Sequence, residues 1–315
     1  MTRSWLPLAL AVVAALAAVP WLGSEALVEY GINALLLATL AQGWNVIGGF
    51  AGYPSFGNSV FFGLGTYGTA IAMARYQLPF GAGLVAGAAL AVTCAVLLGL
   101  PILRLRGPYF AIATLGLSAA MSAIFANLDV AGRNIGLILP LLRGDLLFYE
   151  LSLGLLVLAT ATVAWVARSR FGAGLVAIRE SEDAAQVMGV DTTRWKVSAL
   201  ALSAVFSALA GGIHAYWITF IDPASAFDPT LNVKMVIMAV FGGPGTVLGP
   251  VVGAFALSAV SEVLASRLST VAGAFYGLVV VLAVIAMPKG IMDLGPGLRR
   301  LGWRYFAENV RRHRL

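Results

Sequence analysis

The chain is 315 residues long, 60% hydrophobic and only 11% charged, with a net charge of +6 and a mean hydropathy of +0.91. A soluble domain carries roughly a quarter charged residues, so this chain has too few to cover a water-facing surface. That excludes an ordinary soluble enzyme or binding domain and leaves lipid as the solvent for most of the exterior.

Uncharged runs cover 4–24, 31–74, 76–103, 107–128, 151–167, 197–221, 235–261 and 268–287. About 20 apolar residues cross the hydrocarbon core as a helix. Only helices and closed barrels satisfy their backbone there, and continuous apolar runs exclude alternating barrel strands. The expected fold is therefore all-α, a polytopic membrane bundle of eight or nine helices. Helices are predicted near 5–22, 30–47, 55–74, 81–103, 108–127, 151–167 and 196–217. Arg3 followed by the apolar 6–19 is open to two readings, a cleavable signal or a retained first helix, and the many later spans favour the second.

Short cytoplasmic loops collect Lys and Arg. With the N-terminus inside, that side receives Arg3, Arg104, Arg106, the basic residues of 168–196 and those after Met287. A single crossing by 235–261 would send the basic tail to the wrong side. A break resolves this, because Gly242, Gly243, Pro244 and Gly245 read as a helix stop. The chain is expected to enter over 233–241, return over 246–263 and cross again over 268–287. Gly48, Gly49, Gly52 and Pro54 make a comparable interruption, so broken or re-entrant segments are expected near 48–55 and 233–246. Such breaks are tolerated where they line a cavity. Both termini are predicted cytoplasmic. Residues 1–290 read as one transmembrane domain, with a cytoplasmic loop over 168–196, and 291–315 as a basic cytoplasmic tail. Trp303, Tyr305 and Phe306 suit that tail to an anionic membrane surface rather than to nucleic acid.

Several motifs carry less than they promise. Gly63-Leu64-Gly65-Thr66-Tyr67-Gly68 matches a dinucleotide fingerprint, yet no acid follows before Asp129 and the surroundings are a membrane span. Those glycines, like Gly83, Gly87 and the four-residue spacing of Gly245, Gly249 and Gly253, read better as helix-packing positions. Cys94 is the sole cysteine, and His214 and His313 lack ligand-spaced partners, so no metal site is expected. No phosphate-cradling lysine loop occurs, and no buried Asp, Glu or Arg suggesting a proton relay is seen within the spans. The long polar stretch 168–196 offers a short helix between Gly172 and Gly189, with Asp191 as cap for the next span. Its Ala and Met face suits docking into a partner's groove.

Several separate blocks together look familiar. They are Asn45-Val46 with Gly48-Gly49, Ser55-Phe56-Gly57 through Tyr67, Arg104 through Gly116, Ser169 through Gly172, Ala177 through Glu180, Ala184 through Val190, Gly242-Gly243 to Pro250, and Met287 through Gly290. In these the chain resembles the branched-chain amino acid permeases of ABC importers, of the LivM type. The family's Thr-Gly-Gly-rich stretch is replaced here by the sequence from Asn127 to Gly136. The resemblance implies the cytoplasmic (inner) membrane, a second permease subunit, ABC ATPase subunits and an extracytoplasmic substrate-binding protein. This chain would bind no cofactor, its partners using the ATP.

The resemblance also implies an ATPase-coupling helix carrying Arg179, Glu180, Asp183, Ala184, Ala185, Met188 and Gly189. Candidates for the translocation path are Asn45, Ser55, Asn58, Ser59, Thr66, Gly242 and Gly243. The substrate would be a branched-chain or related amino acid. Relatives that move urea, short amides or aromatic acids stay open as alternatives, as does a self-contained small-solute channel.

Overall fold

The computed structural model describes residues 15–21, 23–140, 144–267 and 290–293, together with Val13, Gly273, Gly277 and Val281. Apart from Gly273, Gly277 and Val281 the predicted span 268–287 lies outside the described residues, as do the tail beyond Asp293 and much of 5–22. What is described is a helical bundle in which seven stretches are long and apolar enough to cross a membrane.

The chain runs through α1 (Glu25–Trp44), a π-helical turn over Asn45–Phe50, α2 (Asn58–Ala74), α3 (Phe80–Ile102), α4 (Pro108–Asn127) and α5 (Asp145–Arg168). The polar loop holds α6 (Arg170–Glu180) and α7 (Glu182–Val187). Then come α8 (Thr192–Ile218), the single turn α9 (Pro223–Ala226), α10 (Pro229–Gly242) and α11 (Gly249–Arg267). A two-residue antiparallel pair, β1 (Leu137–Ile138) with β2 (Phe220–Ile221), ties the α4–α5 connection to the end of α8.

Helix starts follow local chemistry. Asp191, Ser169, Ser181 and Asp228 each accept a backbone amide from the first turn of the helix they precede, satisfying one donor that the helix leaves unpaired. Two spans start before their uncharged cores, α8 behind its Asp191 cap and α5 behind Gly144, which offers no side-chain cap. Thus α5 begins at Asp145 and α8 at Thr192, earlier than the apolar runs alone suggest. The helix expected over 172–189 is two helices, because Ser181 breaks the first and caps the second.

Glycine allows the centre to close. A Cβ on Gly65 would collide with the Ala208 backbone of α8, one on Gly68 with Gly87 of α3, and one on Gly211 with the Phe62 carbonyl. The fingerprint-like glycines are thus the seam where α2, α3 and α8 approach backbone to backbone. Around them Tyr67, Phe125 and Phe227 cluster, Phe227 stacking on Tyr67 at 5.9 Å. Helices α10 and α11 double back on each other, so that a Cβ on Gly253 would meet the Met238 carbonyl. The expected break is present between them, and Gly243 and Gly245 take positive φ angles of 123° and 74° that favour glycine there. Gly245 consequently sits in the turn, not on the α11 face assigned to it with Gly249 and Gly253.

Candidate functional site

Two interruptions of regular helix meet inside the bundle. The first is the π-helical turn after α1 and the extended chain over 51–57; the second is the turn between α10 and α11. Asn45, fully buried, joins them. Its Nδ2 donates to the Thr246 carbonyl at 2.9 Å, and its Oδ1 accepts the Gly245 amide at 2.7 Å. One turn earlier, Gln42 Nε2 donates to the Val247 carbonyl at 2.7 Å. A π turn widens the helix and leaves carbonyls free for other partners. One of these, on Gly49, accepts Arg179 Nη1 from α6 at 3.1 Å.

A polar seam runs beside this junction. Asn58 Nδ2 donates to Ser203 Oγ at 2.8 Å, with Ser207 Oγ at 3.4 Å. Ser59 gives its amide to Asn232 Oδ1 at 2.7 Å, and its hydroxyl meets Ser118 Oγ at 3.0 Å. Thr66 bonds the Gly211 carbonyl, and Ser55 Oγ accepts the Gly57 amide. Hydroxyls and amides buried in a low-dielectric interior hold helices in one register only while they are paired. Asn45, Ser55, Asn58, Ser59 and Thr66 are therefore all inside the packed bundle, and Gly242 packs against Gly249 where the turn closes with Gly243. Asn58 Oδ1 and Gln42 Oε1 are buried with no partner among the described residues.

The polar loop is wired to the same junction. Lys196, on the first turns of α8, is only 4% exposed and donates to Glu182 Oε1 at 2.6 Å, to Tyr53 Oη at 3.0 Å and to the Leu103 carbonyl at 3.0 Å. Tyr53, in the first break, donates in turn to Glu182 Oε2. Burial pushes the Glu182 carboxyl up, but hydrogen bonds from Lys196 and Tyr53 and the charges of Lys196 and Arg106 outweigh it, so the carboxyl titrates below its ordinary value. Burial, then the bond to Glu182, push the Tyr53 phenol up. Arg106 closes the outside of the cluster, 2.9 Å from Asp183 and 3.6 Å from Glu182.

The expected loop residues divide between two faces. Ala185 is buried against the bundle, and Arg179 packs its stem against Gly52 on the way to Gly49. Asp183, Ala184 and Gly189 are exposed, Met188 is 84% exposed and Val187 87%. Glu180 pairs with Arg179 at 3.1 Å. An apolar tip standing in water, on a base fixed by a buried ion pair, is a surface built for contact. Tyr53, Glu182 and Lys196 were not singled out from sequence. The available signal was Lys196 as the last charge, after Arg194, before the uncharged remainder of the span.

On the far side of the junction lies a cavity of about 650 Å³ lined by α1, α10, α11 and Gly273. It contains charges that the uncharged-run reading had left at helix ends: Glu29 within α1, Lys234 within α10 and Glu262 within α11. No group of three or more metal-ligating side chains occurs among the described residues.

A polytopic bundle with interlocked helix breaks and an anchored loop has the architecture of a permease. Comparison with known families decides which. Residues 27–287 match the family described as branched-chain amino acid transport system / permease component. The chain belongs to this family. It is 27% identical over 307 residues to the high-affinity branched-chain amino acid transport system permease protein LivM of Salmonella typhimurium, covering 87% of this chain and 72% of that protein. The Escherichia coli protein of the same description is 26% identical over the same shares. The autoinducer 2 import system permease protein LsrC of Photorhabdus luminescens is 29% identical over a shorter stretch, 34% of each chain. No solved structure matches. This multi-pass membrane protein is a permease component and not an enzyme, and at the junction of its two breaks Asn45 and Gln42 together make three hydrogen bonds to the second break.

Proposed function

We propose that this chain is one of two permease subunits in an ATP-driven importer of branched-chain or related amino acids, with residues 1–290 acting as a single transmembrane unit. Separate ATPase subunits bind the ATP and engage the 168–196 loop; a substrate-binding protein delivers cargo to the opposite face. Both termini then lie on the cytoplasmic side of the inner membrane.

The observation that carries this reading is the continuity from the exposed tip of α7 to the helix breaks. Glu182 opens α7 and is bonded to Tyr53 of the first break, while Arg179 reaches Gly49 and lies against Gly245 of the second. A push on Val187 and Met188 therefore acts directly on the residues flanking Asn45. When the ATPases close, α6 and α7 move as one body, the Asn45 bonds to Gly245 and Thr246 separate, and the junction opens. Asn45, Gly242 and Gly243 act as gate residues. Asn58, Ser59 and Thr66 set the register of the helices beside the gate, and Ser55 fixes the turn that enters α2.

Subunit omission tests the assignment. Proteoliposomes holding this chain, a second permease chain and ATPase subunits are expected to accumulate leucine only with ATP, and omission of any one component abolishes uptake. Equilibration of solute by this chain alone, without ATPase, contradicts the proposal and identifies a channel.

A further inference from the structure

The cavity between α1, α10 and α11 holds more charge than a passive opening needs. At about 650 Å³ it is the size of a small-molecule site. Glu29, Lys234 and Glu262 line it with Asn33, Ser258 and Ser261. None of the three charged groups has an ion-pair partner among the described residues. All three are exposed, and so are available to a ligand entering the opening. Leu37 and Met238 line its deeper part, and Leu37 lies two turns, about 12 Å, before Asn45 on the same helix.

We infer that this cavity is a binding site for a zwitterionic amino acid on its way to the gate. Lys234 receives the carboxylate, Glu29 and Glu262 the ammonium group, and Leu37 and Met238 face the apolar side chain. An uncharged solute such as urea or acetamide has no charge to pair with these three groups, whereas an amino acid zwitterion offers both signs. The inference rests on the importer reading and sharpens it, selecting amino acids over neutral amides.

The test uses the assembled transporter without its binding protein, in a Cys94→Ala background carrying Ser261→Cys. A membrane-impermeant maleimide is expected to label Cys at this position, and millimolar leucine to slow labelling at least fivefold. At the same concentration 4-methylpentanoate, which lacks the ammonium group, 3-methylbutylamine, which lacks the carboxylate, and acetamide leave the rate within twofold. Lys234→Gln removes the protection by leucine, whereas Lys234→Arg keeps it, which separates loss of charge from loss of fold. An unreactive thiol, as a second permease chain covering the cavity would produce, overturns the inference. So does labelling indifferent to leucine, or protection by acetamide as strong as that by leucine. Leucine uptake measured on the same liposomes separates the two claims. Uptake driven by ATP without protection removes only the site, and protection without uptake removes only the importer reading.

Discussion

Replacing Lys196 by Met removes the cation that neutralises Glu182 in a nearly closed environment, the two side chains being 4% and 12% exposed. Breaking a buried pair from one side costs about 3–5 kcal/mol, because the remaining charge is left uncompensated. Here Tyr53 still donates to Glu182 and Arg106 stands 3.6 Å away, so the lower end, about 3 kcal/mol, applies. At about 1.4 kcal/mol per tenfold, that raises the population of detached α7 roughly a hundredfold. Trypsin reads this out, since cleavage after Arg179 and Arg194 in the native complex follows the open fraction when opening is fast. Lys196→Met is expected to accelerate cleavage up to about a hundredfold and to lower uptake per ATP hydrolysed. Adding Glu182→Gln removes the stranded charge and restores most of the protection. If the double variant is cut as fast as the single, the ion pair does not hold the loop and the reasoning fails.

Asn45→Ala deletes two buried bonds worth about 1 kcal/mol each. It is expected to leave assembly intact while permitting ATP-independent leakage of substrate, measured as efflux from loaded proteoliposomes. Gly65→Leu drives a side chain into the Ala208 backbone and should prevent recovery of folded protein in detergent. Gly116→Ala, on an open face of α4 with nothing within 4 Å, should be recovered at wild-type yield. Glu182 also predicts a pH dependence. Its folded carboxyl ionises below the unfolded value of about 4.3, so its stabilisation is complete above that pH and is lost as pH falls through the lower folded value. The difference in heat-inactivation rate between wild type and Glu182→Gln should therefore be constant from pH 7 to 5 and shrink in stronger acid.

The bundle was legible because lipid imposes one rule on all its helices, and uncharged runs report it directly. Both helix breaks were legible for a similar reason, since glycine and proline act through the local backbone. What could not be read was pairing across distance. Lys196 and Tyr53 are 143 residues apart and Asn45 and Gly245 are 200 apart, and nothing in their local sequence names the partner. The polar residues at the breaks could be proposed for a path, yet only the folded chain puts Asn58 on Ser203 and Ser59 on Asn232. Ser181 split the loop helix because a serine in that context serves the following turn as a cap better than the preceding turn as a helical residue. The charged cavity was missed because Glu29, Lys234 and Glu262 sit where uncharged runs end, and run boundaries do not say which way a terminal charge faces.

The account stands on the claim that the 168–196 loop transmits ATPase motion to the gate. The direct measurement is ATP-dependent leucine uptake by the full assembly, comparing wild type with Glu180→Arg plus Ala184→Arg, two exposed positions on the loop. The expected result is loss of uptake with the altered chain still inserted and assembled. Unchanged uptake at full ATP dependence would contradict the claim and place the coupling contact elsewhere on the chain.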